Sequence, residues 1–410
     1  MKIQRCKGMR DMSPVEMAVF RWVVGICRDC YIKWGYREVR TPTIEYLHLF
    51  TSAGTLTPGM LGKVYSFLDW DGWSGERVVL RPDGTIPVAR LYTESMLGQG
   101  LARLFYTANM FTFEGGEGNR ERWQCGAELI GAGSAIADAE LIALSLEIVK
   151  KLGLKGVELR LSHAGLMQAL LAKLKLTPEE QHRMFDSILD GDTTLLSEAS
   201  RESSELGDLL LPLLSKKGQS ADFLRDQRAS LCRSIPGMRS PLDDFLKTVS
   251  ILDDLGIKYQ INIASGAGFE YYTGMIFQLF SGREKIGGGG RYDALISAMG
   301  GGDVPASGFA IYLDRLIKLV KATTIVSPQP RRILIKVVYD ASAKEAFIIA
   351  DALRNAGFIA EIDLDGREAG WILEVKSAAA MAFIDKVKSK KTSVRSVDEV
   401  IKLLEGKGGG

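Results

Sequence analysis

The chain has 410 residues, 46% of them hydrophobic and 25% charged, which is the composition of a folded globular protein and not of a fibrous or disordered one. That length exceeds one ordinary core and predicts two domains, or three. Fifty-two basic against 50 acidic residues leave a formal net charge of +2, without the basic excess of a dedicated nucleic-acid binder. The opening MKIQRCKGMRDMSP has no apolar signal core, and no apolar run reaches the roughly 18 residues of a membrane span. The sequence therefore predicts a cytoplasmic protein with no membrane partner. Five scattered cysteines fit a reducing compartment.

Ser13-Pro14-Val15-Glu16 is a helix start: a serine cap, proline at the first helical position and a glutamate completing a capping box. The helix should run to about Gly35. Within it Cys27-Arg-Asp-Cys30 has redox or zinc half-site spacing, but Met17, Phe20, Val24, Cys27 and Tyr31 recur at helical spacing, so Cys27 reads as core. A zinc site needs a second ligand pair, and the histidines stand apart at 48, 163 and 182. No metal, no cofactor and no His-based catalytic triad are expected.

Tyr36–Pro42 reads as extended, Tyr65–Trp70 and Glu76–Arg81 as two strands, and Leu104–Glu114 and Arg122–Gly131 as two more around a polar glycine-rich loop. Asp138–Leu152 reads as an amphipathic helix ended by Gly153, and about 164–255 as a charge-rich helical insertion. Strand character returns at Ile257–Ser265 and Met275–Phe280. The glycines 287–290 are expected to break the chain before another helix. Ser307–Val320 is a strand-to-helix passage, 321–331 a proline-containing linker, and about 332–405 a small α/β domain with a flexible tail to 410.

Polar groups inside the paired strands mark a candidate site. Gln124 and Glu128 differ by an even number and share one strand face, either solvent-facing or lining a polar pocket. Gly287–Gly290 lacks the order of a P-loop or a dinucleotide site; it is a flexible turn or backbone brought close to a ligand. Tyr271 and Tyr272 precede a strand, where one hydroxyl can face a pocket.

The order of these pieces resembles the histidyl-tRNA synthetase family, with its class II synthetase fold. Lys7–Pro14 resembles the family's opening motif, Tyr36–Tyr46 with Pro42 its dimer-forming motif 1, and Leu80-Arg-Pro-Asp-Gly-Thr85 its amino-acid-binding turn. Residues 104–131 resemble motif 2, Gly268–Gly274 a histidine-specific motif, and Gly308–Arg315 motif 3. The resemblance covers about 1–320, and residues 332–405 resemble a shortened anticodon-binding domain. It implies an α+β fold: a class II synthetase-like antiparallel sheet flanked by helices over 1–322, the helical insertion, and the C-terminal α/β domain over 332–410.

Against that family, the motif 2 arginine on the ATP α-phosphate falls at Thr112, the arginine assisting adenylation at Ala267, and a motif 3 glycine beside the adenine at Tyr312, while Arg315 is kept. Losing one such charge donor costs on the order of 10²–10³ in rate. The amino-acid side is kept instead. The resemblance assigns Asp83 and Thr85 to the α-ammonium of histidine, with Asp83 shorter than the family's usual carboxylate. Gln124 and Glu128 would read its carboxyl end and imidazole, Tyr271 and Tyr272 would line the imidazole pocket, and the glycines around Gly289 would form its floor.

A histidine pocket without ATP machinery is similar to the regulatory subunits of ATP phosphoribosyltransferase, a paralogous family serving the first step of histidine biosynthesis. This implies no catalytic residues, histidine as effector, a homodimer through motif 1, and a short-form catalytic subunit as partner in a hetero-octamer. The alternatives are a divergent histidyl-tRNA synthetase and, third, a synthetase-like partner protein for another system, such as tRNA modification or signalling. Residues 331–410 carry 14 basic and 12 acidic residues, so no specific tRNA partner is expected.

Overall fold

The computed structural model describes residues 3–52, 61–70, 75–113, 119–173, 177, 180, 194, 221–262, 272–320 and 331–405. Glu114, Ala267, Tyr271, most of 174–220, the linker residues 321–330 and the tail 406–410 lie outside the described residues. The chain divides into two compact units, Met1–Ile325 and Val326–Gly410.

The first unit opens with helix α1, Pro14–Lys33. Both halves of the capping box form: Ser13 Oγ accepts from the Glu16 N–H at 3.3 Å, and Glu16 accepts from the Ser13 N–H at 2.8 Å. Gly35 ends the helix with φ +83°, a conformation that favours glycine. Val19, Phe20, Val23, Cys27, Cys30 and Tyr31 make its buried face. Then come β1 (Arg37–Glu38), β2 (Ile44–Tyr46), α2 (Leu47–Ser52), β3 (Ser66–Trp70), β4 (Gly75–Leu80), α3 (Thr85–Ser95), β5 (Ala102–Phe111) and β6 (Glu121–Ile130). After these are α4 (Ala135–Lys151), β7 (Val157–His163), α5 (Ala164–Lys173), α6 (Ala221–Ser234), α7 (Arg239–Asp254) and β8 (Gln260–Ile261). The unit closes with β9 (Met275–Ser281), β10 (Glu284–Arg291), α8 (Ala294–Ala298), β11 (Ala306–Tyr312) and α9 (Leu313–Leu319).

Eight of these strands form one sheet in the order β1-β5-β6-β11-β10-β9-β7-β8. The outer pairs β1/β5 and β7/β8 are parallel and the rest antiparallel. The alternation of each strand separates two cores. Phe105, Cys125, Ala127, Phe309 and Ile311 face the α1 and α4 side, whereas Leu104, Tyr106, Tyr272, Ile276 and Tyr292 face the other. Cys27 is fully buried in the first core.

The glycine run is where the expectation fails. Residues 287–290 do not break the chain; they lie inside β10, paired with β9 and β11 in the middle of the sheet. A Cβ on Gly289 would come within 2.1 Å of the Gly308 carbonyl, and one on Gly290 within 2.4 Å of the Met275 carbonyl. Glycine is needed because neighbouring strands approach this closely, and tertiary contacts override its poor strand propensity.

A smaller antiparallel sheet, β2-β4-β3, follows the extended segment after α1. Arg81, buried to 5% exposure, ties it to the large sheet. Its guanidinium donates to the Thr41 and Pro42 carbonyls at 2.9 and 3.1 Å, to Thr41 Oγ1, and to the backbone and side-chain oxygens of Asn109 on β5.

The second unit is a mixed sheet in the order β13-β12-β14-β15-β16, built from β12 (Arg332–Val337), β13 (Ile359–Ile362), β14 (Trp371–Ser377), β15 (Ala380–Asp385) and β16 (Lys390–Val394). Helices α10 (Ala343–Asn355) and α11 (Val397–Leu404) bury Ile349, Leu353, Val400 and Leu404 with Ile333, Leu373 and Phe383.

Candidate functional site

On the face of the large sheet away from α1, β6 presents Gln124, Gly126 and Glu128. Register sets Ala108, Tyr106 and Leu104 of β5 beside them, and Tyr312, Ala310 and Gly308 of β11 on the other side. Gly288 and Gly290 of β10 continue the same rows, while Gly289 is turned to the opposite core beside Phe309. The row Gly126, Ala310, Gly288 is thus a trough of small residues between bulkier ones.

Glu128 is fully buried and leans across Gly308, where a Cβ would lie 1.7 Å from its carboxylate. The Thr85 hydroxyl, at the start of α3, donates to Glu128 Oε1 at 2.9 Å, and the Tyr292 hydroxyl donates to Oε2. Burial pushes its pKa up to about 8; these hydroxyls oppose the rise and the nearby Asp83 charge adds to it. Asp83 accepts from the Ile86 N–H at 2.9 Å, so its short side chain turns back onto the first turn of α3. Burial raises it to about 6 against those backbone donors. Tyr106 is wedged between glycines: a Cβ on Gly84 or Gly126 would meet its ring at 2.5 or 2.3 Å. Its hydroxyl accepts from Gln124 Nε2 at 3.1 Å. The Tyr272 ring, 9% exposed, lies over Gly290.

The structure therefore brings Asp83, Thr85, Gln124, Glu128 and Tyr272 together. Tyr271 lies outside the described residues. Two further members, Tyr106 and Tyr292, were not singled out by sequence reasoning. For Tyr106 a signal existed, since strand pairing sets it opposite Gly126, which leaves room for its ring. Tyr292 gave none, because its reach to Glu128 depends on the end of β10. Among the described residues, the hydrogen-bond partners of Asp83 and Glu128 are all neutral hydroxyls and backbone N–H groups. Two carboxylates so placed gain most from a ligand that brings positive charge and N–H donors, such as an ammonium or imidazolium.

On the nucleotide side suggested by the resemblance, the Arg315 guanidinium lies 5.1 Å from the Tyr312 ring centre and donates to the Lys285 carbonyl. The cation face is thus used within the chain. Thr112 pairs through its backbone with Arg120, and its buried hydroxyl makes no hydrogen bond among the described residues. Among the described residues no cluster of three His, Cys, Asp or Glu side chains could hold a metal ion.

A separate cleft of about 790 Å³ opens on the α7 side, lined by His163, Asp244, Lys247, Arg291 and Asp293. Arg291 bonds Asp138 at 2.5 Å and reaches Asp244 at 3.4 Å, and His163 Nε2 faces Asp244 at 3.3 Å. Burial raises Asp138 to about 7 despite the Arg291 charge. Arg291 and Tyr292, neighbours in sequence, thus serve opposite faces of the sheet.

Residues 8–316 match the family model described as histidyl-tRNA synthetase. The chain is 51% identical over 408 residues to an ATP phosphoribosyltransferase regulatory subunit of Dehalococcoides mccartyi, covering 98% of this chain and 99% of that one. It is 33% identical over 366 residues to the histidine–tRNA ligase of Methanosarcina acetivorans, covering 87% and 84%. Among solved structures, an ATP phosphoribosyltransferase regulatory subunit/histidyl-tRNA synthetase from Bacillus halodurans superposes with TM-score 0.76 at 25% identity over 90% of this chain and 95% of that one. A histidyl-tRNA synthetase from Nostoc superposes with TM-score 0.77 at 18% identity over 99% and 100%, which shows the class II synthetase-like fold alone. The chain belongs to the histidyl-tRNA synthetase family and, within it, to the ATP phosphoribosyltransferase regulatory subunits.

Proposed function

We propose that, as a member of this family, the chain is the histidine-sensing, non-catalytic subunit of an ATP phosphoribosyltransferase, acting at the first step of histidine biosynthesis. The observation that carries the sensing role is the buried Asp83–Glu128 pair, surrounded by Thr85, Tyr106, Tyr272 and Tyr292 and given only neutral hydrogen-bond partners by the described residues. Histidine supplies what that pair lacks: an ammonium and an imidazole whose N–H can meet Glu128. Gln124 and the remaining tyrosine, Tyr271, complete the contacts of the ligand, and the glycines around Gly289 let its floor strand approach.

The chain works with a short-form catalytic subunit in a hetero-octamer and pairs with its own copy through Tyr36–Tyr46. Histidine binding favours the low-activity arrangement of that complex, so inhibition is a linkage between this pocket and the partner's active site. Thr112 and the Tyr312–Arg315 contact support a chain that does not activate amino acids.

The test is reconstitution with the short-form catalytic subunit from the same cell. Complex formation together with histidine inhibition of phosphoribosyl transfer is expected. Robust histidine-dependent exchange of pyrophosphate into ATP by the isolated chain would instead establish a working synthetase and refute the proposal.

A further inference from the structure

Two tyrosines of the effector pocket hang from backbone that meets at Arg291. Tyr272 lies over Gly290, and Tyr292 donates its hydroxyl to Glu128. Thr273, which follows the first tyrosine, donates its N–H at 2.8 Å to the carbonyl of Arg291, which precedes the second. Thr273 Oγ1 accepts from the Asp293 N–H at 3.0 Å, so the two segments close on each other beside both tyrosines.

The side chain of Arg291 serves other partners. Its stem passes under Gly274, where a Cβ would lie 3.0 Å from Arg291 Cδ. Its fork donates to Asp138, in the first turn of α4, from Nε at 3.3 Å and from Nη2 at 2.5 Å. Nη1 donates to the Gly133 carbonyl at 3.2 Å and lies 3.4 Å from Asp244 Oδ2 on α7. Asp244 is held in turn. His163 Nε2 faces the same oxygen at 3.3 Å, and the Gly165 N–H donates to His163 Nδ1 at 3.1 Å, which sets the imidazole proton on Nε2 toward Asp244. Arg291 keeps 6% of its surface, so stem and head are both enclosed.

We propose that Arg291 is a positioning residue for the effector pocket: its backbone fixes Tyr272 and Tyr292, and its side chain ties both to α4 and to helix α7 of the insertion. Binding groups keep their geometry where supporting contacts lock them. A guanidinium suits this role, because its planar fork bonds one carboxylate twice and still reaches a carbonyl and a second carboxylate. The inference rests on the histidine reading of that pocket. A merely structural ion pair would lower a variant's melting temperature and leave the affinity of its folded form unchanged, whereas a positioning residue lowers that affinity.

The test measures histidine affinity of the full chain by calorimetry well below each melting temperature, with circular dichroism confirming the fold. Wild type is compared with Arg291→Ala, Asp244→Ala and Arg228→Gln. Asp244→Ala spares the Asp138 fork and removes the tie to α7. Arg228→Gln breaks the pair with Asp243 that joins α6 to α7 and leaves Arg291 its partners. Residues that touch no ligand shift affinity by roughly two- to thirtyfold. Arg291→Ala should lie at the upper end of that range and Asp244→Ala at the lower, and Arg228→Gln should bind as wild type does. The cleft of about 790 Å³ opens onto Arg291, so free guanidinium can enter the space that Arg291→Ala leaves. At a non-denaturing concentration it should restore part of the lost affinity, and sodium chloride of equal strength should not.

Folded Arg291 and Asp244 variants with the wild-type isotherm would overturn the proposal. An equal loss in Arg228→Gln would do so too, because loosening α7 anywhere would then suffice. A loss that guanidinium does not relieve would point to repacking of the strand and count against it equally. Should Arg291→Ala not fold, Asp244→Ala decides, and wild-type affinity there overturns the proposal. A wild-type chain that binds no histidine would instead refute the histidine reading, and this inference with it.

Discussion

Replacing Glu128 by glutamine tests the site most directly, because it removes the charge and keeps the size. In the free protein Glu128 is fully buried, held by the Thr85 and Tyr292 hydroxyls, and raised from its ordinary 4.5 to about 8. Between those two values the unfolded chain carries an ionised Glu128 and the folded chain a protonated one, so unfolding releases a proton there. Stability from this group is therefore complete below about pH 4.5 and is lost as pH rises toward 8, at about 1.4 kcal/mol per pH unit within the window. Glu128→Gln removes one such proton. Asp83 and Asp138 titrate in overlapping ranges and remain, so the slope of stability against pH should become shallower by one proton and not flat. Histidine binding should suffer in the opposite sense. A charge-assisted hydrogen bond is worth roughly 1.5–3 kcal/mol, so affinity should fall about ten- to a hundredfold. Urea titrations from pH 5 to 8 give the slope. Calorimetry on the isolated subunit and a histidine inhibition curve on the reconstituted complex give the affinity, and basal transferase activity should persist. An unchanged isotherm together with an unchanged inhibition curve would place the effector site elsewhere.

Tyr272→Phe should weaken histidine by less than Glu128→Gln, by about tenfold at most, because it removes one neutral hydroxyl; calorimetry compares the two. Gly308→Ala should destabilise the chain strongly, since a Cβ there would lie 1.7 Å from the Glu128 carboxylate in a packed sheet; thermal melting shows this. Asp138→Asn should destabilise the chain in urea unfolding, because Arg291 loses its buried partner, and the loss should be larger at pH 5.5 than at pH 8, because burial raises Asp138 to about 7 and its contribution fades as pH rises toward that value. Binding of histidine tRNA in a gel shift should be weak and salt-sensitive; tight, selective binding at physiological salt would contradict the charge balance of residues 331–410.

Much of the fold is legible locally. The Ser13–Glu16 capping box and the Gly35 stop each lie within a few residues of the helix they define. The face shared by Gln124 and Glu128 follows from parity alone. The glycine strand was not legible, because its reason is the close approach of β9 and β11, residues far away in sequence. The role of Asp83 was only half legible. Its place beside the ligand turn follows from resemblance, but whether a carboxylate one methylene shorter reaches forward or folds back onto α3 depends on the burial around it. Tyr292 escaped for the same kind of reason: nothing within its own neighbourhood points to Glu128.

Arg81 has a consequence of a different sort. Its five hydrogen bonds go to carbonyl, hydroxyl and amide oxygens, and none to a carboxylate. Such acceptors do not titrate in the range where proteins live, and salt screens a dipole contact at hydrogen-bond distance far less than an exposed ion pair. The tie between the Thr41–Pro42 segment, β5 and the turn that carries Asp83 and Thr85 should therefore hold over a wide span of acidity and ionic strength. The Arg291 network beside α4 depends on Asp138, a carboxylate poised near neutrality. A shift of pH across neutrality would change the charge of that network while leaving the Arg81 bonds as they are.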